Sequence, residues 1–244
     1  MARYKITVCY DGGAYYGFQK QEGLPTVQSE IERVLSTRFS QKITLRASGR
    51  TDAGVHAIAQ VAHFDTDKEF ETSTFGYSIN TMLPRDIAVT SCERVSDDFH
   101  AQYDAKRKTY LYKICRSKIH SPLKRLYYHI CFYDLNVSRM RKACEYFIGE
   151  HDFRAFMLAD SDKENTVREI YDLHVEEEGE DLLVYVTGNG FLHNMVRIIA
   201  GTLIDVGRGR FEPEDITTML ESKRHVKTGK TLEACGLYLC KVEY

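Results

Sequence analysis

Asp52 is the acid of a stretch, Ser48-Gly49-Arg50-Thr51-Asp52-Ala53-Gly54-Val55-His56, that also holds two glycines and an arginine. Gly49 and Gly54 allow backbone angles that other residues resist, so the chain can turn sharply on either side of Asp52. The stretch lies between two segments that read as strands, Ile43 to Ala47 and Ala59 to Phe64, both alternating apolar and polar residues. Loops on a rigid sheet are where catalytic groups tend to sit. The chemistry open to a carboxylate presented in this way is attack on carbon or removal of a proton. The plainer alternative is a hairpin turn in which Asp52 caps backbone amides and Arg50 is solvated.

The run from Gly49 to Ala57, followed by Gln60-Val61 and His63-Phe64, resembles the active-site motif of the tRNA pseudouridine synthase A family. The resemblance continues in family order over nearly the whole chain. It is met at Tyr10-Asp11-Gly12, Gly17-Phe18-Gln19, Thr26-Val27-Gln28, Phe99-His100-Ala101, Tyr110-Leu111-Tyr112 and His151-Asp152-Phe153. It resumes at Gly190-Phe191-Leu192 with Met195-Val196-Arg197, and at Gly236-Leu237-Tyr238-Leu239. The resemblance implies an isomerase that converts uridine to pseudouridine in the anticodon stem-loop of tRNA, at positions 38, 39 and 40, without metal or cofactor. It also implies a homodimer with tRNA bridging the subunits.

Carried over, the catalytic aspartate is Asp52, which either attacks the sugar C1′ or removes the C2′ proton. Either role needs an ionised acid in a site dry enough to exclude hydrolysis, and a buried carboxylate requires a cationic partner. The resemblance supplies Arg197 for that, from the second half of the chain. It makes Tyr110 the ring that stacks on the target base, Leu237 a wall of the uracil pocket, and Arg50 a neighbour of the flipped nucleotide. A duplex-embedded uridine must be flipped out to be reached. For each there is a plainer reading: a solvated helix arginine, a strand-face tyrosine (favoured for Tyr112), a core leucine. The chain departs from the usual family pattern at Tyr16, where tryptophan is frequent, and at Ala59, where glycine is common. It departs again at Thr231-Leu232-Glu233-Ala234-Cys235, which replaces a Thr-Ala-Pro-Ala run beside the pocket.

The elements that must position these residues are legible as periodicity. Residues 3–10 alternate as a strand, and a helix follows Thr26 with Val27, Ile31, Val34 and Leu35 on one face. A second helix is expected over 72–82, with Phe75, Ile79 and Met82 inward, then a strand over 87–92. The order β-α-β-β-α-β is that of a ferredoxin-like unit. In the second half, strand 108–116 is expected to pair with 126–133. A helix spans 137–147, and strands near 167–175 and 182–187 flank an acidic turn. A long apolar helix runs from Phe191 to Val206, and a last strand from Gly236 to Val242. The fold class expected is α+β: two ferredoxin-like, RRM-like lobes, residues 1–104 and 105–244, with joined sheets and the active loop in the cleft between them. The first lobe would carry the catalytic loop, and the second would complete the uridine pocket and the tRNA-binding surface.

Composition bounds the rest. With 244 residues, 43% hydrophobic and 28% charged, the chain is globular in type and can bury a core. No apolar run approaches a membrane span of about 20 residues, and the first residues read as a strand and not as a signal peptide. The seven cysteines have no Cys-x-x-Cys pair, and the nine histidines are scattered. They read as reduced residues of a cytoplasmic protein with neither disulfide frame nor metal site. The net charge is −2, yet no acid lies between Asp104 and Asp134, an interval with Lys106, Arg107, Lys108, Lys113, Arg116, Lys118, Lys124 and Arg125. Interleaved tyrosines suit such a run to RNA, and a solvated face is the plain alternative. Two other functions compete with the isomerase: a non-catalytic tRNA-binding protein or RNA chaperone, and a nucleoside hydrolase. The hydrolase calls for a second working carboxylate.

Overall fold

The eleven-residue strand β3 (His56–Thr66) is the element on which the first half of the molecule is assembled. Along one edge it pairs antiparallel with β1 (Ala2–Tyr10), which in turn pairs with β4 (Ile87–Val95). Its other edge is shared. The two-residue strand β2 (Arg46–Ala47) lies against His63 and Ala62, and a last strand running Leu237–Glu243 lies parallel to it at His56 and Ala57. The structure is a computed structural model that describes residues 1–158, 165–222 and 227–244. It divides into two units, one of residues 1–106 and 238–244, the other of residues 107–237. The last strand therefore returns to the first unit beyond Leu237.

Alternation along β1 buries Tyr4, Ile6, Val8 and Tyr10 on one face. Two helices cover that sheet. In α1 (Val27–Phe39) the buried residues include Val27, Ile31, Val34 and Leu35, as their spacing predicts. Thr26 caps it: its hydroxyl accepts from the Ser29 amide at 3.3 Å, and Ser29 accepts from the Thr26 amide at 3.2 Å. Phe39 at the end of α1, Phe64 of β3 and Phe75 of α2 (Thr72–Asn80) pack with ring centroids 5.9 to 6.2 Å apart, so both helices sit on one face. The second helix stops short of the expected 82. Asn80 donates to the Val89 carbonyl at 3.0 Å and accepts from its amide at 2.8 Å, which pins the helix end to β4. Met82 falls in the following turn and is exposed, not inward.

The second unit is an antiparallel run in the order β5 (Arg107–Arg116), β9 (Asp181–Gly188), β8 (Val167–Glu178), β7 (Gly149–Asp152). The acidic turn joins β8 to β9 as expected. The partner expected for β5 over 126–133 shrinks to β6 (His129–Cys131), and it lies parallel. Residues between them fold into successive turns, so the chain comes back to β5 in its starting direction. Helices α3 (Val137–Glu145), α4 (Met195–Gly207) and α5 (Asp215–Glu221) complete the unit. The apolar helix begins at Met195 and not at Phe191, because Asn194 takes left-handed angles, φ 63°, and breaks the run. Every residue of α4 except Arg197 is buried. No helix among the described residues is long and apolar enough to cross a membrane.

His63 of β3 is 2% exposed, and its Nδ1 accepts the Ala101 amide at 3.1 Å. Burial, with Arg3 adding to it, pushes its pKa from 6.5 down to about 4. The folded state thus binds this proton less readily than the unfolded chain. His63 costs nothing above 6.5 and destabilises the fold as pH falls from there towards 4. Urea unfolding should lose stability through that window, and His63→Gln should flatten the loss.

Candidate active site

The loop between β2 and β3 is held from outside. Ser48, fully buried, donates its hydroxyl to Gln60 Oε1 at 2.6 Å, while Gln60 Nε2 donates to the Gly49 carbonyl at 3.1 Å. The hydroxyls of Thr51 and Tyr10 share a bond of 2.7 Å. The turn itself closes where the Val55 amide donates to the Asp52 carbonyl at 3.1 Å, with Gly54 at φ 78°. Of the two glycines expected to take special angles, Gly54 does so and Gly49 does not.

The stretch 12–18 lies against this turn, backbone to backbone. Phe18 N donates to the Thr51 carbonyl at 3.1 Å. Gly17, at φ 90°, has room for hydrogen only: a Cβ there would sit 2.6 Å from the Thr51 oxygen. Gly12 meets Val55 more closely still, and its amide donates to His56 Nδ1 at 3.1 Å. Asp52 emerges from this clamp half-buried, and Arg50 is exposed. The supporting residues were present in the sequence as motif members, but nothing local assigned them partners 30 to 45 positions away. A carboxylate carried on a backbone fixed at Thr51 and Val55 has a fixed origin, as a nucleophile or base requires.

Four further residues of interest belong to the second unit. Tyr110 on β5 is 9% exposed and stands edge-on to Phe191, with centroids 5.0 Å apart and planes at 80°. Tyr112, two residues on, is fully buried; its hydroxyl donates to the Glu233 carbonyl at 2.7 Å, and burial holds its pKa well above the usual phenol value. The core reading of Tyr112 therefore fits its surroundings. Leu237 is 6% exposed. Arg197 donates Nε to the Leu232 carbonyl at 2.6 Å and Nη1 to Asn194 Oδ1 at 2.6 Å. Its guanidinium is thus oriented by two bonds, one of them to the stretch where the sequence departs from the family run. Leu232 lies in the run singled out from sequence as a departure, but its role as an anchor was not legible, since a carbonyl anchor leaves no side-chain signature; Asn194 was not singled out.

The family model described as tRNA pseudouridine synthase matches residues 6–104 and 143–244. The protein named tRNA pseudouridine synthase A of Caldicellulosiruptor bescii is 44% identical over 239 residues, 98% of each chain. The protein of that name from Exiguobacterium sp. is 45% identical over 244 residues, 100% of this chain and 98% of the other. That of Bacillus licheniformis is 42% identical over 244 residues, 99% of each. Among solved structures, a chain of a Cbf5-Nop10-Gar1 complex aligns with TM-score 0.38 at 14% identity, over 97% of this chain and 48% of that one.

The basic interval is less available than its sequence suggests. Lys118 pairs with Asp134 at 2.7 Å, Arg116 with Glu177 at 3.1 Å, and Lys124 with Asp181 at 2.6 Å and Glu180 at 2.9 Å. The acidic end of the β8–β9 hairpin is folded onto Arg116 and Lys124. Cys115, Glu180 and Asp181 could form a metal-ligand cluster, but the Lys124 ammonium sits on both carboxylates and supplies the positive charge there. Burial pulls the pKa of that ammonium down, and the hydrogen bonds it donates to Asp181 and Glu180 outweigh burial, leaving the pKa raised. A cation so raised stabilises the fold at every pH below its unfolded value and loses that contribution only as pH climbs through the folded one. Lys124→Ser strands the mostly buried Asp181. It should lower the unfolding free energy by about 1–3 kcal/mol, read by urea denaturation, and by the same amount throughout neutral pH.

Proposed function

The chain belongs to the tRNA pseudouridine synthase family, and from that premise we propose that it isomerises uridine to pseudouridine in the anticodon stem-loop of tRNA, with Asp52 as its catalytic group. The observation that carries the assignment to Asp52 is the clamp around it. Residues 12–18 and the Ser48–Gln60 pair hold the backbone on both sides of one carboxylate, a construction that pure binding does not need.

In this reading the bond from uracil N1 to the sugar C1′ breaks, the base turns, and C5 bonds to C1′. The C5 proton leaves and N1 gains one, so the reaction is an isomerisation. Asp52 adds to C1′ or takes the C2′ proton; Arg197 is the cation that keeps the carboxylate ionised. Tyr110 stacks on the extruded base, its ring held by Phe191. Leu237 lines the uracil pocket and Arg50 meets the flipped nucleotide. Among the exposed cations of the basic interval, Lys106, Arg107 and Arg125 are the candidates for backbone phosphates, while Lys118 is engaged by Asp134. We place the enzyme in the cytoplasm as a homodimer that shares its tRNA, in keeping with the resemblance. The shared name of the relatives favours catalysis over a non-catalytic tRNA-binding protein.

Incubation with unmodified tRNA, followed by pseudouridine mapping, tests the reading. Asp52→Asn should abolish product while tRNA affinity stays within about threefold, since the group acts in the transition state more than in binding. Turnover by the Asn variant near the wild-type rate would sink the mechanism.

Tyr110 divides into ring and hydroxyl. Tyr110→Leu removes a stacking surface worth about 1–3 kcal/mol per base and should lose flipped-state binding and turnover together. Tyr110→Phe should bind normally and turn over slowly if the hydroxyl moves the C5 proton. Single-turnover tritium release from C5-labelled tRNA decides: release by Phe at the wild-type rate leaves Tyr110 a stacking residue, and the same from Leu removes it from the site.

A further inference from the structure

Arg197 depends on a backbone carbonyl for its orientation, and that carbonyl is itself suspended between two anchors. On its N-terminal side the chain is pressed onto α4. Gly229 N donates to the Thr202 hydroxyl at 3.0 Å, and Lys230 crosses Gly201 so closely that a Cβ there would lie 2.0 Å from the Lys230 oxygen. On its C-terminal side stands Glu233. Its carbonyl accepts the hydroxyl of fully buried Tyr112, and its carboxylate meets Nδ1 of the buried His129 at the head of β6. Facing a carboxylate, Nδ1 carries the proton and donates. Leu232 sits between these anchors. Its carbonyl takes Arg197 Nε at 2.6 Å, and its amide points back to the Arg197 carbonyl at 3.5 Å.

We propose that Glu233, held by His129, is a positioning residue for Arg197: it braces residues 229–236 so that the Leu232 carbonyl stays where the guanidinium is anchored. The physical argument is one of leverage. A carbonyl adjoining a residue with two tethers has little freedom to rotate its peptide plane. Freed of the side-chain tether, the Glu233 peptide keeps the Tyr112 bond, about which it can pivot. Arg197 then has the fixed Asn194 contact at one nitrogen and a moving one at Nε. An arginine is the group most sensitive to such movement, because its donors form a rigid fork. The Glu233 side chain is 59% exposed, so its truncation opens no cavity. The catalytic half of this inference rests on the role proposed above for Arg197; the brace itself does not.

Two readouts test them separately. In 15N spectra of the whole protein the Nε–H of Arg197, identified by its loss in Arg197→Lys, should exchange slowly with water. Glu233→Ala should speed that exchange at least about threefold, and Glu233→Gln, which keeps an acceptor for His129, should leave it within about twofold. In turnover on tRNA, Glu233→Ala should lower kcat about tenfold and move KM by less than about twofold. The melting temperature should fall by about 2–4 °C in Glu233→Ala, because buried His129 loses its acceptor, and kcat is compared well below the transition. Added to Arg197→Ala, the same change should cost nothing more, because the two act as one unit. Unchanged exchange in Glu233→Ala overturns the brace, and so does an equal loss of kcat with and without Arg197. Faster exchange beside an Arg197→Ala enzyme of wild-type kcat would instead retire the role of Arg197 and leave the brace standing.

Discussion

The approach of backbone to backbone at Gly17 and Gly12 is the constraint on which the first unit's site depends. The turn between β2 and β3 carries Asp52 between two fixed points. Here its two ends are set by another stretch of chain lying within the radius of a methyl group, at the Thr51 and Val55 carbonyls. That closeness lets amides reach across: Phe18 to Thr51, and Gly12 to the His56 ring. It also explains why the stretch 12–18, without regular structure of length, is anchored at both ends. β1 delivers its start, and the capped head of α1 receives its continuation, where the Gln28 amide donates to the Phe18 carbonyl at 2.9 Å.

The second unit solves a different problem, that of keeping one cation aligned on a buried, mostly apolar helix. α4 is buried along its length, which removes any freedom to roll, and Arg197 is its one side chain that is not enclosed. The left-handed Asn194 serves twice, ending the preceding run and offering its side chain to Arg197 Nη1. The small residues Gly201 and Thr202 admit the segment that supplies the second anchor. Packing and polar orientation are thus delivered by the same helix, on faces one turn apart.

Charge shows how far composition can mislead. The interval from Lys106 to Arg125 is free of acids in sequence but not in space. Lys118, Arg116 and Lys124 are met by Asp134, Glu177, Glu180 and Asp181. What reads as a strip for a polyanion is in part an ion-pair network that ties the 117–128 turns to the β8–β9 hairpin.

The sequence by itself determined the elements whose signal is local and the residues whose chemistry is uncommon. The alternation of β1, the apolar face and Thr26 cap of α1, the order β-α-β-β-α-β, the acidic hairpin and the Asp52 loop were all legible, because each needs only neighbours within a turn or a pleat. Tertiary structure decided the rest. The direction of β6 depends on how the 117–128 turns close. The ends of α2 and α4 depend on an Asn80 side chain that finds β4 and on the left-handed angles of Asn194. The return of the last strand to the edge of β3 depends on a partner some 180 positions away. The supports of the site were hidden for the same reason. Tyr10 for Thr51, Gly17 for the Thr51 carbonyl, and the Leu232 carbonyl for Arg197 are contacts between distant segments, and two of the three are made to backbone atoms. A backbone carbonyl looks the same in every residue, so only the folded chain can say which one is held, and by what.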